Sequence, residues 1–178
     1  RLNEQKGVKL ILEAAERLFA ENLQFVLLGE GDPELETGLR EITERYPDKA
    51  AIKIGFDDEL AHLIEAGADM FMMPSLYEPC GSNQQYSLVY GTVPIVRSTG
   101  GLADTVREFN PQNAEGNGFV FQNFDSAEMV AAVQRALDIY ARQDVWEMVV
   151  QNGMSEDLSW SRSAKQYSEL YRNLMKVG

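Results

Sequence analysis

Residues 74–86 read Pro-Ser-Leu-Tyr-Glu-Pro-Cys-Gly-Ser-Asn-Gln-Gln-Tyr. The apolar run Met70, Phe71, Met72 and Met73 before them reads as a buried strand, and residues 82–90 after them can wind as a helix. A strand end, a turn containing Pro and Gly, and a new helix N-terminus together make an anion site in an α/β sheet. One carboxylate, Glu78, lies inside that turn. An acid beside an anion-binding loop suits a ligand with a phosphate and a hydroxyl-rich part, as in a sugar nucleotide. A βα loop whose carboxylate is merely solvated has the same spacing.

Other residues could serve the same chemistry. Thr99-Gly100-Gly101 follows a second apolar run. Two glycines there can expose backbone N–H groups and the Thr hydroxyl adds a donor, which suits a diphosphate. A loop that simply needs positive φ would look alike. Arg1 and Lys6 flank a short turn and could both reach a phosphate leaving group, with hydrogen bonds that strengthen as charge develops. A solvated basic pair is the alternative. Gly29-x-Gly31 lacks the third glycine of a dinucleotide fingerprint, and Pro33 sits at a helix start, so it reads as a tight turn. Phe56, at a strand end, could stack on a base or simply pack. His62 reads as a structural or hydrogen-bonded histidine on a helix. Cys80 has no partner histidine in its motif, so nothing marks it as a nucleophile.

The elements that must hold these residues alternate. Residues 8–22 place Val8, Ile11, Leu12, Ala15, Leu18 and Phe19 on one helical face. Strands are expected at 24–28, 51–54, 69–73, 93–96 and 118–121, and helices at 34–46, 57–66, 82–90 and from 126 onward. Asp32 should cap the second helix with Pro33 at its first position, and Asp57 or Asp58 the third. The closing segment, 160–175, carries Tyr167, Leu170, Tyr171 and Leu174 at helical spacing, and its Trp and Tyr residues are expected in the core. Strands alternating with helices predict a doubly wound, Rossmann-like parallel sheet with helices on both faces. Right-handed crossovers then gather residues 29–31, 55–56, 74–83 and 98–101 at one carboxyl edge, where such sheets bind ligands.

Bulk properties narrow the partners. A chain of 178 residues suffices for one domain with a proper core. Lys plus Arg is 16 against Asp plus Glu 28, a formal net charge of −12. That disfavours a nucleic-acid partner, whose affinity comes from Lys and Arg, but leaves room for a small phosphate in a local pocket. One cysteine excludes an internal disulfide, and one histidine besides excludes a Cys/His zinc site. No apolar run approaches the roughly 18 residues needed to span a membrane. Arg1-Leu2 runs directly into a helical pattern without an initiator Met, so a preceding strand is expected and the chain reads as a piece of something longer.

Four stretches together are familiar. Arg1-Leu2-x-x-Gln5-Lys6-Gly7, Gly29-x-Gly31-Asp32-Pro33, Pro74-Ser75-x-x-Glu78-Pro79-Cys80-Gly81, and Tyr90-Gly91-Thr92-x-Pro94 followed by Thr99-Gly100-Gly101-Leu102-Ala103-Asp104-Thr105-Val106 resemble the C-terminal half of bacterial glycogen synthases and plant starch synthases. The resemblance covers essentially residues 1–178. It implies the nucleotide-sugar-binding C-terminal domain of a GT-B glycosyltransferase, whose N-terminal domain is not in this chain. It further implies retaining transfer of glucose from ADP-glucose, or UDP-glucose, to the non-reducing end of an α-1,4-glucan, without metal or cofactor, in a bacterial cytoplasm or plastid stroma.

By that resemblance Arg1 and Lys6 bind the donor phosphates and stabilise the leaving diphosphate, and Glu78 contacts the glucosyl hydroxyls. Backbone N–H groups of Cys80 and Gly81 meet the sugar, Ser82 and Asn83 lie beside the phosphates, Phe56 stands near the base, and Thr99, Gly100 and Gly101 form a phosphate loop. Tyr86 takes the place of a second Glu that many GT-B enzymes carry near the ribose, as in the glycogen synthases. Residues 82–85 depart from the family's usual Leu-Thr-Gln-Leu. The alternatives are another GT-B glycosyltransferase, sucrose-synthase-like, or a non-catalytic glucan-binding or scaffold module on a decayed synthase fold.

Overall fold

The computed structural model describes residues 1–175. In chain order the elements are α1 (Val8–Ala20), β1 (Phe25–Gly29), α2 (Pro33–Arg45), β2 (Ala50–Ile54), α3 (Asp58–Gly67), β3 (Met70–Met73), α4 (Asn83–Tyr90), β4 (Val93–Arg97), α5 (Gly100–Thr105), β5 (Phe119–Phe121), α6 (Ser126–Tyr140), α7 (Gln143–Met154) and α8 (Trp160–Met175). Local chemistry sets several starts. The Asp32 carboxylate accepts from Glu34 N–H with Pro33 in the first helical turn, Asp57 accepts from Leu60 N–H, and Asp125 accepts from Ala127 and Glu128 N–H.

Every strand pairing is parallel, and helices cover both faces. The ladder runs in two pieces, β1–β2 and β3–β4–β5, rather than as one continuous sheet. Residues Leu2 to Gln5 join the two at their carboxyl ends. Leu2 N–H donates to Glu30 O at 2.9 Å, Leu2 O accepts from Asp32 N–H at 2.8 Å, and Gln5 O accepts from Leu76 N–H at 2.8 Å. Strand β4, paired on both sides, is buried through Val96, whereas Val26 in β1 is 53% exposed.

Helix α1 lies between the two pieces and contributes to both cores. Leu10, Ile11, Ala14 and Leu18 pack with β4, β5, α6 and α7, in a cluster that holds Phe119, Met129, Trp146 and Val149. Val8, Ala15 and Phe19 pack with Leu39, Ile42 and Ala50 beside β1 and β2. The helix is therefore apolar over more than half its circumference, which is the pattern of a helix covered on two sides.

One element is new and one expectation needs correction. Residues 100–105 form a short helix, α5, in a stretch to which the apolar pattern assigned no element. Helix α8 buries no residue, and Trp160 is 88% exposed, with Tyr167, Leu170, Tyr171 and Leu174 also exposed. Its apolar stripe is real, but no other element of the described chain lies against it, so helical spacing alone did not predict burial.

Gly7 shows how tightly the segment before α1 is seated. Its φ is +71°, and a Cβ there would lie 1.9 Å from Pro74 O. Replacing it meets both a left-handed backbone and a backbone collision. Gly7→Ala is expected to destabilise the chain by at least ~2 kcal/mol in denaturant unfolding, with the midpoint lowered and the slope unchanged.

Candidate functional site

The turn after β3 is held from three directions. Arg97, the last residue of β4, donates Nε to Ser75 O at 2.8 Å, Nη2 to Leu76 O, and Nη1 to Gln122 O at 3.2 Å beyond β5. Gln5 donates Nε2 to Tyr77 O at 2.9 Å. Gly101 N–H donates to Glu78 O at 2.9 Å. Neither Arg97 nor Gln5 carries an assigned role from spacing. Their position at the carboxyl edge is the one signal that could have marked them.

Glu78 is 7% exposed, and its Oε2 accepts from Lys6 Nζ at 2.5 Å and from Ser75 Oγ at 3.4 Å. The Lys6 side chain is about a third exposed. A buried carboxylate without a partner is strongly unfavourable, and the Lys6 ammonium supplies that partner. The ammonium keeps two further N–H bonds and an open side, so it can serve a second anion while it holds Glu78.

Cys80 is exposed, and Gly81 takes φ +73°. Ser82 precedes α4 as its N-cap but makes no side-chain capping bond; its hydroxyl lies 3.5 Å from Asn83 Oδ1. The backbone N–H groups of Gly81 and Ser82 have no acceptor among the described residues. They lie beside the positive end of the α4 dipole. This is a donor-rich surface of the kind that binds phosphate oxygens.

The Thr99-Gly100-Gly101 turn is pressed against the first. A Cβ on Gly100 would lie 2.1 Å from Glu78 O, and one on Gly101 would lie 1.9 Å from Cys80 O. Both glycines are therefore required for backbone approach. Gly101 N–H is already bonded to Glu78 O, which leaves it unavailable to a ligand in this conformation. Thr99 is the N-cap of α5, without a side-chain cap.

The remaining expected residues are more dispersed. Phe56 follows β2 and is 83% exposed, with no aromatic partner among the described residues. Tyr86, on α4, packs its ring 5.8 Å from that of His62 on α3, and His62 Nδ1 hydrogen-bonds Tyr90 Oη at 3.2 Å. His62 is thus a hydrogen-bonded structural histidine. Arg1 is exposed and makes no ion pair among the described residues. The structure places Lys6, Glu78, Cys80, Gly81, Ser82, Thr99, Gly100 and Gly101 around one pair of turns. A polar hollow of about 520 Å³, lined by Arg107, Glu108, Asn110 and Asn152, lies beside the segment leading into β5, at the other end of that strand.

Glu65 is a further buried acid that spacing did not reveal. It lies on α3, 4% exposed, with Asn83 of the first turn of α4 beside its carboxyl group. Burial raises its carboxyl above the ordinary value near 4.5; His62 and Asn83 nearby oppose that rise without cancelling it.

With this geometry in place, the relatives can be compared. Residues 1–150 match the family described as glycosyl transferases group 1, and the chain belongs to that family. It is 52% identical over 180 residues to a glycogen synthase of Thermotoga petrophila, a match covering 100% of this chain and 37% of the relative. A glycogen synthase of Bacillus cereus is 46% identical over 176 residues, covering 99% of this chain and 37% of the relative. Among solved structures, the catalytic domain of starch synthase IV from Arabidopsis thaliana, bound to ADP and acarbose, superposes with TM-score 0.86 at 38% identity, over 97% of this chain and 36% of that one. The fold is that of one half of a GT-B glycosyltransferase. The chain spans little more than a third of the curated relatives it matches.

The acid on α3 yields a test of the fold beneath the site. A carboxyl raised in the folded state adds stability at low pH that is lost as pH rises from its unfolded value through its folded one. Glu65→Gln removes that loss. The stability difference between wild type and Glu65→Gln should shift in favour of the variant as pH rises above the ordinary carboxyl value near 4.5, read by denaturant unfolding across a pH series.

Proposed function

We propose that this chain is the donor-binding half of a glycogen or starch synthase. The whole enzyme would transfer glucose from ADP-glucose to the non-reducing end of an α-1,4-glucan, with retention of anomeric configuration. The observation that carries this reading is the pairing of buried Glu78 with the partly exposed Lys6, set against two free N–H groups at the start of α4. It offers, in one place, a carboxylate for sugar hydroxyls and a cation and donors for phosphate. Names of close relatives, all glycogen synthases, support the same substrate pair.

In this reading Lys6, with Arg1, engages the donor phosphates. As the glycosidic bond breaks, charge accumulates on the departing diphosphate, and the Lys6 ammonium and the Gly81 and Ser82 N–H groups stabilise it without reorganising. Glu78 accepts from the glucosyl hydroxyls and keeps Lys6 oriented. Thr99 and Gly100 border the phosphates, Asn83 stands beside them, and Phe56 offers a face to the base. Tyr86 is a ribose-side neighbour. The glucan groove and the rest of the active site would come from an N-terminal domain outside this chain. UDP-glucose is the competing donor. The setting would be bacterial cytoplasm or plastid stroma; no helix among the described residues is long and apolar enough to cross a membrane.

The reading separates binding from turnover. Radiolabelled ADP-glucose should be retained by the chain in equilibrium dialysis, with no label passed to added glycogen. Label in glycogen from this chain alone would contradict the division of labour. Failure to retain the donor would contradict the donor-binding assignment.

A further inference from the structure

The Cys80–Gly81 turn rests on one buried side chain. Gln84 is fully buried, and the two hydrogens of its Nε2 are shared among Cys80 O at 3.0 Å, Gly81 O at 3.1 Å and Thr105 Oγ1 at 3.2 Å. Gln85 Nε2 adds a second donor to Gly81 O at 3.1 Å. Thr105 Oγ1 in turn donates to Gly101 O at 2.7 Å, which carries the connection into the glycine turn of α5.

The consequence follows from peptide geometry. There is no cis bond here, and in a trans peptide the C=O and the following N–H point in opposite directions. Drawing the Cys80 and Gly81 carbonyls inward turns the N–H groups of Gly81 and Ser82 outward. Those are the two groups without an acceptor among the described residues. Gly81 is left-handed at φ +73°, and Ser82 is right-handed at φ −111° and ψ −31°. Successive residues of opposite hand make their N–H groups converge on a concavity that takes an anion.

Gln84 is not optimised for stability alone. Its Oε1 is buried without a hydrogen-bond partner, and sits where a Cβ on Gly81 would be only 2.4 Å away. An orphaned buried acceptor is unfavourable, and its fixed orientation is explained by what Nε2 must do. We propose that Gln84 is a positioning residue: its carboxamide fixes the Cys80 and Gly81 peptide planes so that the Gly81 and Ser82 N–H groups face a diphosphate. The proposal rests on the reading of this turn as a diphosphate site.

Two substitutions and one spectroscopic readout test it on the chain as it stands. Gln84→Met keeps the volume and removes the donor. Gln84→Glu keeps the shape, and only its protonated form can donate. In 15N-resolved NMR titrations with ADP, the Gly81 and Ser82 amide resonances of the wild type should move. Gln84→Met should raise the ADP Kd roughly tenfold or more, the loss of one good hydrogen-bonding arrangement. Gln84→Glu should recover affinity, relative to wild type at the same pH, as the solution is acidified; a residue that only fills space gives no such profile. Wild-type affinity in Gln84→Met, or a Gln84→Glu ratio independent of pH, overturns the proposal. If the wild type binds no ADP, the diphosphate reading fails, yet Gln84 is still decided on the unliganded chain. There, unchanged Cys80 and Gly81 carbonyl shifts and unchanged backbone order in Gln84→Met overturn it, and loss of both supports it.

Discussion

The Lys6–Glu78 ion pair is the interaction on which the arrangement depends. It joins the segment before α1 to the turn after β3, two pieces of chain separated by about seventy residues. The surrounding contacts leave little freedom. Gly7 lies against Pro74, Gln5 holds Leu76 and Tyr77 by two hydrogen bonds, and Leu2 bridges to Gly31 just beyond β1. With α1 seated between both pieces of sheet, the pair fixes Lys6 where the carboxyl edges meet. A chain with a net charge of −12 repels anions in general, so a phosphate site here has to be made locally. In the proposed reading one ammonium and oriented N–H groups would do this at short range, where the overall field matters least.

Much of the site is backbone. Glycines at 100 and 101 let α5 sit on the carbonyls of Glu78 and Cys80, and side chains from Gln84, Gln85, Arg97 and Gln5 hold the carbonyls of the turn in place. These polar side chains point at main-chain oxygen, not at the ligand space. Each of these carbonyls has a protein donor, which limits the arrangements open to the turn. Rigid donors placed in advance are what favour developing charge on a leaving group over the ground state.

The alternation of strand and helix was legible in the sequence because the apolar runs are short and bounded by Gly, Pro and capping Asp. Asp32 and Asp57 fall where their chemistry requires. The place of Glu78 in the fold was legible as well, since it stands alone in a turn between a strand and a helix. What periodicity could not give was long-range. The α8 stripe has the spacing of a buried face and is exposed, because spacing records a face and not what covers it. The break between β1 and β3 depends on pairing, which no local pattern encodes. Nothing in the spacing singled out Gln84; its proposed role follows only from a helix start that buries it beneath the turn. The family membership of residues 1–150 agrees with the motif resemblance, which was specific where single spacings were not.

The most direct measurement is calorimetric titration of the chain with ADP and UDP, repeated on Lys6→Ala after checking that the variant still unfolds cooperatively. Removing Lys6 takes a cation from the phosphates and leaves Glu78 as an unpaired negative charge beside them. The account predicts that wild type binds ADP, more tightly than UDP, and that the variant loses roughly tenfold or more in affinity. ADP binding that is unchanged in Lys6→Ala would contradict it, because the diphosphate would then lie elsewhere.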